Sequence, residues 1–128
     1  MTPGLDATFL AERFADAVGF EDYLATDPER AEPWRDIHRR VALAEPQRRL
    51  LDGFVRRMPV LVVSGIWCGD CVQQGPLLAR IAEASPAIDL RWVDRDEADD
   101  LARRVRVNGG GRVPVVVFMR SEEHTSEL

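Results

Sequence analysis

A short apolar run that leads straight into the chain's only two cysteines constrains the fold more than any other feature. Residues 58–66 read Met-Pro-Val-Leu-Val-Val-Ser-Gly-Ile, and Trp67, Cys68, Gly69, Asp70 and Cys71 follow at once. The aliphatic, β-branched run 60–63 has the length of a strand buried on both faces of a sheet. Beyond Cys71, the residues Val72, Leu77, Leu78, Ile81 and Ala82 keep mostly to one helical stripe, which predicts a helix over about 71–84 that Ser85-Pro86 closes. The cysteines therefore fall at a strand-to-helix junction. Free backbone N–H groups and the helix dipole favour an anion there, so Cys68 is expected to ionise more readily than a free cysteine.

With 128 residues and 45% apolar content, the chain can bury one modest core. Its longest apolar run, 58–63, falls far short of the roughly 18 residues that a membrane span needs. No basic, apolar, small-residue signal opens the sequence. Two cysteines in such a chain point to redox or metal chemistry in preference to a disulfide scaffold, and the expected compartment is the cytoplasm. The net charge of −5 is mild and the basic residues are dispersed, so no nucleic-acid footprint is visible. All 17 basic residues are arginine, which excludes a lysine nucleophile or Schiff base.

Residues 1–57 read as helical and carry no catalytic motif. Phe9, Leu10, Phe14, Ala15 and Val18 predict an amphipathic helix that Gly19 ends. A shorter helix is expected over 20–25. Thr26-Asp27-Pro28 then supplies a cap and a first-turn proline, with Trp34, Ile37, Val41 and His38 on the stripe that follows. Pro33 is expected to break or restart that segment. Ala44-Glu45-Pro46 opens a last helix with Leu50, Leu51, Phe54 and Val55 as its buried side. The bland reading of this region is a helical layer packed on the sheet.

Further along, 88–93 reads as a second strand, parallel to the first because a whole helix connects them. A short helix over 97–105 is expected to stop at Asn108-Gly109-Gly110-Gly111, before a third strand over 113–119. This order gives an α/β domain with its core over 58–119. Residues 120–128, Arg-Ser-Glu-Glu-His-Thr-Ser-Glu-Leu, break the pattern and look like a translated sequencing-library adapter. On that reading the natural sequence diverges near Met119, and His124 belongs to no site.

At Trp67-Cys-Gly-Asp-Cys71 the chain resembles the thioredoxin superfamily. Pro76 stands where thioredoxins kink the active-site helix, and Val113-Pro114 stands where they place a cis-proline beside the disulfide. The helical N-terminus, Val93-Asp-Arg-Asp96 and the glycines before Val113 look like a bacterial branch of thioredoxin-like proteins. The resemblance covers roughly residues 21–119. It implies a thioredoxin-like fold with a mixed sheet flanked by helices, ending here before the last strand and closing helix. An apolar edge at 115–118 would then be open to aggregation or swapping.

The resemblance also implies roles. Cys68 would attack a disulfide and Cys71 would resolve the mixed disulfide. Pro114 would leave its neighbour's backbone free to pair with an extended substrate, and Gly110 and Gly111 would allow a tight approach to that turn. Trp67 either shields the site and contacts substrate or packs as an ordinary rim residue. Gly69 and Asp70 lie between the cysteines, where thioredoxins have a proline at the position of Asp70. Their buried acid, six residues before the first cysteine, is replaced by Val62. Asp70 then serves as a local base or substrate-selecting charge, or simply satisfies backbone N–H groups at a helix start, and its charge opposes ionisation of Cys68.

The expected function is reduction of protein or small-molecule disulfides by the dithiol, without a cofactor, recharged by a thioredoxin-reductase-like partner. The alternative is a redox-sensing or partner-binding module without turnover. A metal site needs two further ligands, and His38 is the one credible histidine. A Cys–His hydrolase depends on that same residue, and Trp67 before Cys68 argues against glutaredoxin-like use of a small thiol.

Overall fold

A computed structural model describes residues 7–97, 100–101 and 113–119. Four helices come first: α1 (Ala7–Asp16), α2 (Phe20–Ala25), α3 (Pro28–Arg40) and α4 (Glu45–Asp52). Strand β1 (Met58–Ser64), helix α5 (Gly69–Glu83), strand β2 (Ile88–Asp94) and strand β3 (Val115–Phe118) follow. The described strands form one sheet in the order β2-β1-β3. β1 runs parallel to β2, with Val62 opposite Trp92 and Ser64 opposite Asp94, and antiparallel to β3, with Val62 opposite Val116. The mixed sheet flanked by helices is the thioredoxin-like α/β architecture that the resemblance implies.

β1 is central because its sequence allows nothing else. From Pro59 to Ser64 every residue is buried, and a strand apolar on both faces is stable only between neighbours and beneath helices. β2, with Asp89 and Arg91 in it, is half-buried and lies at an edge. That edge is partly covered. The Val18 and Trp92 backbones exchange two hydrogen bonds, of 3.1 and 2.7 Å. Helix α1 therefore ends at Asp16, two residues before the expected Val18, and Val18 is spent on extending the sheet.

An aromatic cluster locks the N-terminal helices to this core. Tyr23 stacks on Trp92 at 5.6 Å between centroids, and Trp34 meets both rings edge-on at 5.8 and 5.7 Å. Phe20 and His38 close its outer side at 5.3 Å from each other. His38 Nε2 lies 2.8 Å from Glu83, and Arg80 donates to the His38 carbonyl at 3.0 Å, which ties α3 to α5. His38 is thus a helix-packing residue.

Other expectations change as well. Pro33 does not break α3, which runs unbroken from Pro28 to Arg40. Pro33 and Glu29, the residue whose carbonyl loses its partner, are both exposed, so the lost bond falls where the carbonyl is open to solvent, while buried Ala31 and Trp34 hold the helix down. Helix α4 does not bury the expected side. The helix ends at Asp52, before Phe54 and Val55, and of the four expected residues only Leu51 is buried, while Leu50 and Val55 are 68% and 93% exposed and Phe54 stands partly open.

In α5 the buried stripe is Cys71, Gly75, Pro76 and Ala79, and Leu77 is exposed. The helix begins at Gly69, so the two cysteines belong to its start. The expected third strand contracts to Val115–Phe118. Most of the expected helix over 97–105, the glycines at 109–111 and the tail at 120–128 lie outside the described residues, although Leu101 is buried in the core.

Candidate functional site

The end of β1 and the start of α5 build the site. Gly65, Ile66 and Trp67 connect them in a tight turn, closed by a 2.9 Å hydrogen bond from the Cys68 N–H to the Gly65 carbonyl. Cys68 is the N-cap residue of α5, with extended backbone, and its carbonyl accepts from the Val72 N–H at 3.0 Å. The turn is held from below. Trp34, wholly buried, donates its indole N–H to the Ile66 carbonyl at 3.0 Å. Sequence spacing offers no sign of that contact.

Cys68 and Cys71 stand in different surroundings. Cys68 is half-buried, and its Sγ lies 3.8 Å from the Val113 carbonyl oxygen. The Val113–Pro114 peptide is cis, so the expected proline is placed beside the leading thiol. Cys71 is buried in the first turn, where the Gly65 N–H points at its sulfur at 3.5 Å. Burial pushes its thiol up from 9.0 to about 11, opposed by Gly65 and Ser64 and reinforced by the neighbouring Cys68.

Trp67 folds back over Gly65 and leaves 42% of itself exposed. A Cβ at Gly65 would lie 2.6 Å from the indole Cε2, so this position must be glycine for the ring to rest there. The Arg95 guanidinium covers the same ring at 4.7 Å from its centroid. Asp70 is exposed in the first turn of α5, where an acid complements the helix dipole. Gly69 is exposed as well, with open space where a side chain would stand. Val62, at the position of the customary acid, is fully buried in the core cluster.

The predicted residues Trp67, Cys68, Cys71, Val113 and Pro114 thus surround one turn. Sequence reasoning missed Tyr23, Trp34, Ser64, Gly65 and Arg95. Ser64 carried a signal: it lies two residues after Val62, on the same face of β1, and it is the one polar residue of an apolar strand.

The raised Cys71 thiol sets a pH dependence of stability. Between pH 9 and about 11 the unfolded chain gives up this proton while the folded chain holds it, so stability falls as pH rises through that window. One such group is worth roughly 3 kcal/mol, and buried Tyr23, also pushed up by burial, acts in the same direction. Urea unfolding followed from pH 8 to pH 11 is expected to show this decline, and Cys71→Ala to flatten it. An equally steep decline in Cys71→Ala would assign it elsewhere.

Among the described residues, no helix is long and apolar enough to cross a membrane. No curated protein matches the sequence. A 1.5 Å crystal structure of a protein of unknown function from Pseudomonas aeruginosa is similar, with 25% identity and a TM-score of 0.70 over 88% of this chain and 70% of that one. An HIV epitope-scaffold is similar in fold, with 23% identity and a TM-score of 0.71 over the same shares, 88% and 70%. The family model described as Thioredoxin matches residues 17–128, and with its sheet order and paired cysteines at the head of α5 the chain belongs to the thioredoxin family.

Proposed function

We propose that the protein is a thiol-disulfide oxidoreductase that reduces disulfides with Cys68 and Cys71. The observation that carries this reading is the pairing of a half-exposed thiol at a helix N-cap with a buried thiol one turn on. The Cys68 thiolate attacks one sulfur of the substrate disulfide, forming a mixed disulfide and expelling the first substrate thiolate. Cys71 then attacks Cys68 Sγ, forms the intramolecular disulfide and expels the second. Two electrons pass from the dithiol to the substrate, and the two thiol protons end on the products.

The other predicted residues have places in this scheme. The Val113 carbonyl, beside Cys68, is a backbone acceptor for an extended substrate, and Pro114 keeps a competing N–H out of that spot. Trp67, resting over Gly65 in the turn that leads into Cys68, offers a partly exposed apolar face to a substrate. The substrate is a protein disulfide or a small disulfide, the electron donor a thioredoxin-reductase-like protein and the compartment the cytoplasm. One observation favours a second reading, a redox switch without turnover: the buried, high Cys71 thiol slows resolution.

The test is to mix the reduced protein with excess of a small aromatic disulfide. Release of two thiols per chain, with loss of two hydrogen atoms from the protein mass, is the expected result. A chain that stops at one thiol and keeps the adduct supports the switch, and a chain that releases none removes both readings.

A further inference from the structure

The fold buries two hydroxyl groups, on Tyr23 and Ser64, that have no hydrogen-bond partner among the described residues. Tyr23 is 2% exposed and Ser64 is wholly buried. Buried polar groups are almost always paired, and leaving one unpaired costs about 1–3 kcal/mol, so two together call for a reason. Ser64 ends β1, next to Gly65, whose N–H already points at Cys71 Sγ. Tyr23, from α2, is packed by its stacking on Trp92, in the same core cluster as Cys71. The Ser64 side chain stands close enough to both the Tyr23 hydroxyl and the Cys71 thiol to favour their ionisation, although neither approach has full hydrogen-bond geometry.

We infer that Ser64 and Tyr23 are positioning residues for the resolving step, forming a donor chain that closes on the Cys71 sulfur as it becomes a thiolate. The inference rests on the oxidoreductase reading and explains how the site works with Val62 where an acid is customary. The Ser64 O–H turns to the sulfur and the Tyr23 O–H to the Ser64 oxygen, so the thiolate gains a second donor beside the Gly65 N–H. Both hydroxyls keep their protons. The Cys71 proton passes to the substrate thiolate that Cys71 expels from Cys68, so no external base is consumed. While Cys71 is a thiol, a weak acceptor, the chain has no strong partner, which accounts for the two unpaired hydroxyls. The groups facing this cluster are Cys68 from the head of α5, Asp94 from the end of β2 and Glu97 beyond it. Both acids act on Tyr23 to keep it protonated, as a donor requires.

Ser64→Ala and Tyr23→Phe each remove one oxygen that has no partner, so both variants are expected to be at least as stable as the natural chain. A chromogenic aromatic disulfide separates the two steps, since the first thiol released reports Cys68 and the second reports Cys71. Each variant is expected to leave the first release unchanged and to slow the second at pH 7 to 8: Ser64→Ala roughly tenfold, the weight of one hydrogen bond to a charged group, and Tyr23→Phe by less, since it removes only the donor behind Ser64. The deficit should stay nearly constant up to about pH 11 and begin to narrow only above it, where the natural Cys71 thiol is itself ionised. Equal second-release rates across pH overturn the inference, as does equal slowing of both releases.

Should the natural chain release no thiol, the oxidoreductase reading fails by itself, and the donor chain is then read without turnover. In Cys68→Ser labelled with carbon-13 at the Cβ of Cys71, adding Ser64→Ala must raise the midpoint of the Cys71 titration. An unmoved midpoint overturns the inference.

Discussion

Trp34→Ala is expected to cost about 3–5 kcal/mol of stability, the range for deleting a large aromatic side chain from a core. Three features place it there. The ring is fully buried, it packs edge-on against Tyr23 and Trp92, and its N–H is the donor to the Ile66 carbonyl just before the cysteines. Gly75, in the middle of α5, lies against the ring. A Cβ at Gly75 would run into Trp34 Cζ3 and lie 2.9 Å from Cη2 and 3.0 Å from Cε3. Gly75→Ala therefore also destabilises the chain, even though alanine is the better helix former by about 1 kcal/mol. Pinned by its indole hydrogen bond, the ring cannot swing away, and a net loss of about 1–3 kcal/mol follows from overpacking. In the double variant the clash disappears and the helix preference remains, so its cost should fall short of the sum of the two single costs by more than about 1 kcal/mol. Chemical denaturation of the four chains measures this. Additive costs, or a Trp34→Ala chain within about 1 kcal/mol of the natural one, would show that α3 and α5 are not joined at this contact.

How far the sequence discloses such features depends on how local their causes are. β1 is legible because six consecutive buried residues carry their own instruction: a run apolar on both sides must be central. The cysteine turn is legible because the strand before it and the helical spacing after it fix its place. The stripe expected over 50–55 has an apolar pattern as clear as that of α1, yet α4 ends at Asp52 and Leu50 and Val55 are exposed. Periodicity says which residues share a face; it does not supply the element that covers them.

Pro33 misleads for the converse reason. A local rule predicts a break, but the cost falls on an exposed carbonyl and the burial of Trp34 outweighs it. The contact of Trp34 with Gly75 and the approach of Tyr23 to Ser64 join residues far apart in the chain, and no local pattern encodes either. Only Ser64 could have been singled out, as the polar residue in phase with Val62. Its partner came from a helical region whose sequence shows packing alone.

The two cysteine substitutions are expected to fail in different ways, and the difference tests the order of the chemistry. Cys68→Ser replaces the attacking sulfur by a hydroxyl that is scarcely ionised near neutral pH, and disulfide reduction should fall on the order of a thousandfold or more. Buried Cys71 cannot stand in, because it is wholly buried in the first turn of α5 and held as the thiol up to about pH 11. Cys71→Ser keeps the half-exposed Cys68 and therefore keeps the first step. It should release one thiol at close to the natural rate and then stop, with the second half of the substrate attached to Cys68. Mass spectrometry reads that adduct directly, and an added small thiol should free it. If the roles were reversed, Cys68→Ser would form the adduct and Cys71→Ser would be silent. Continued two-thiol turnover in either variant would show that the pair does not act as a unit. The exposure of one sulfur and the burial of the other predict the first pattern, since attack on a large substrate needs access while resolution needs only the neighbouring sulfur.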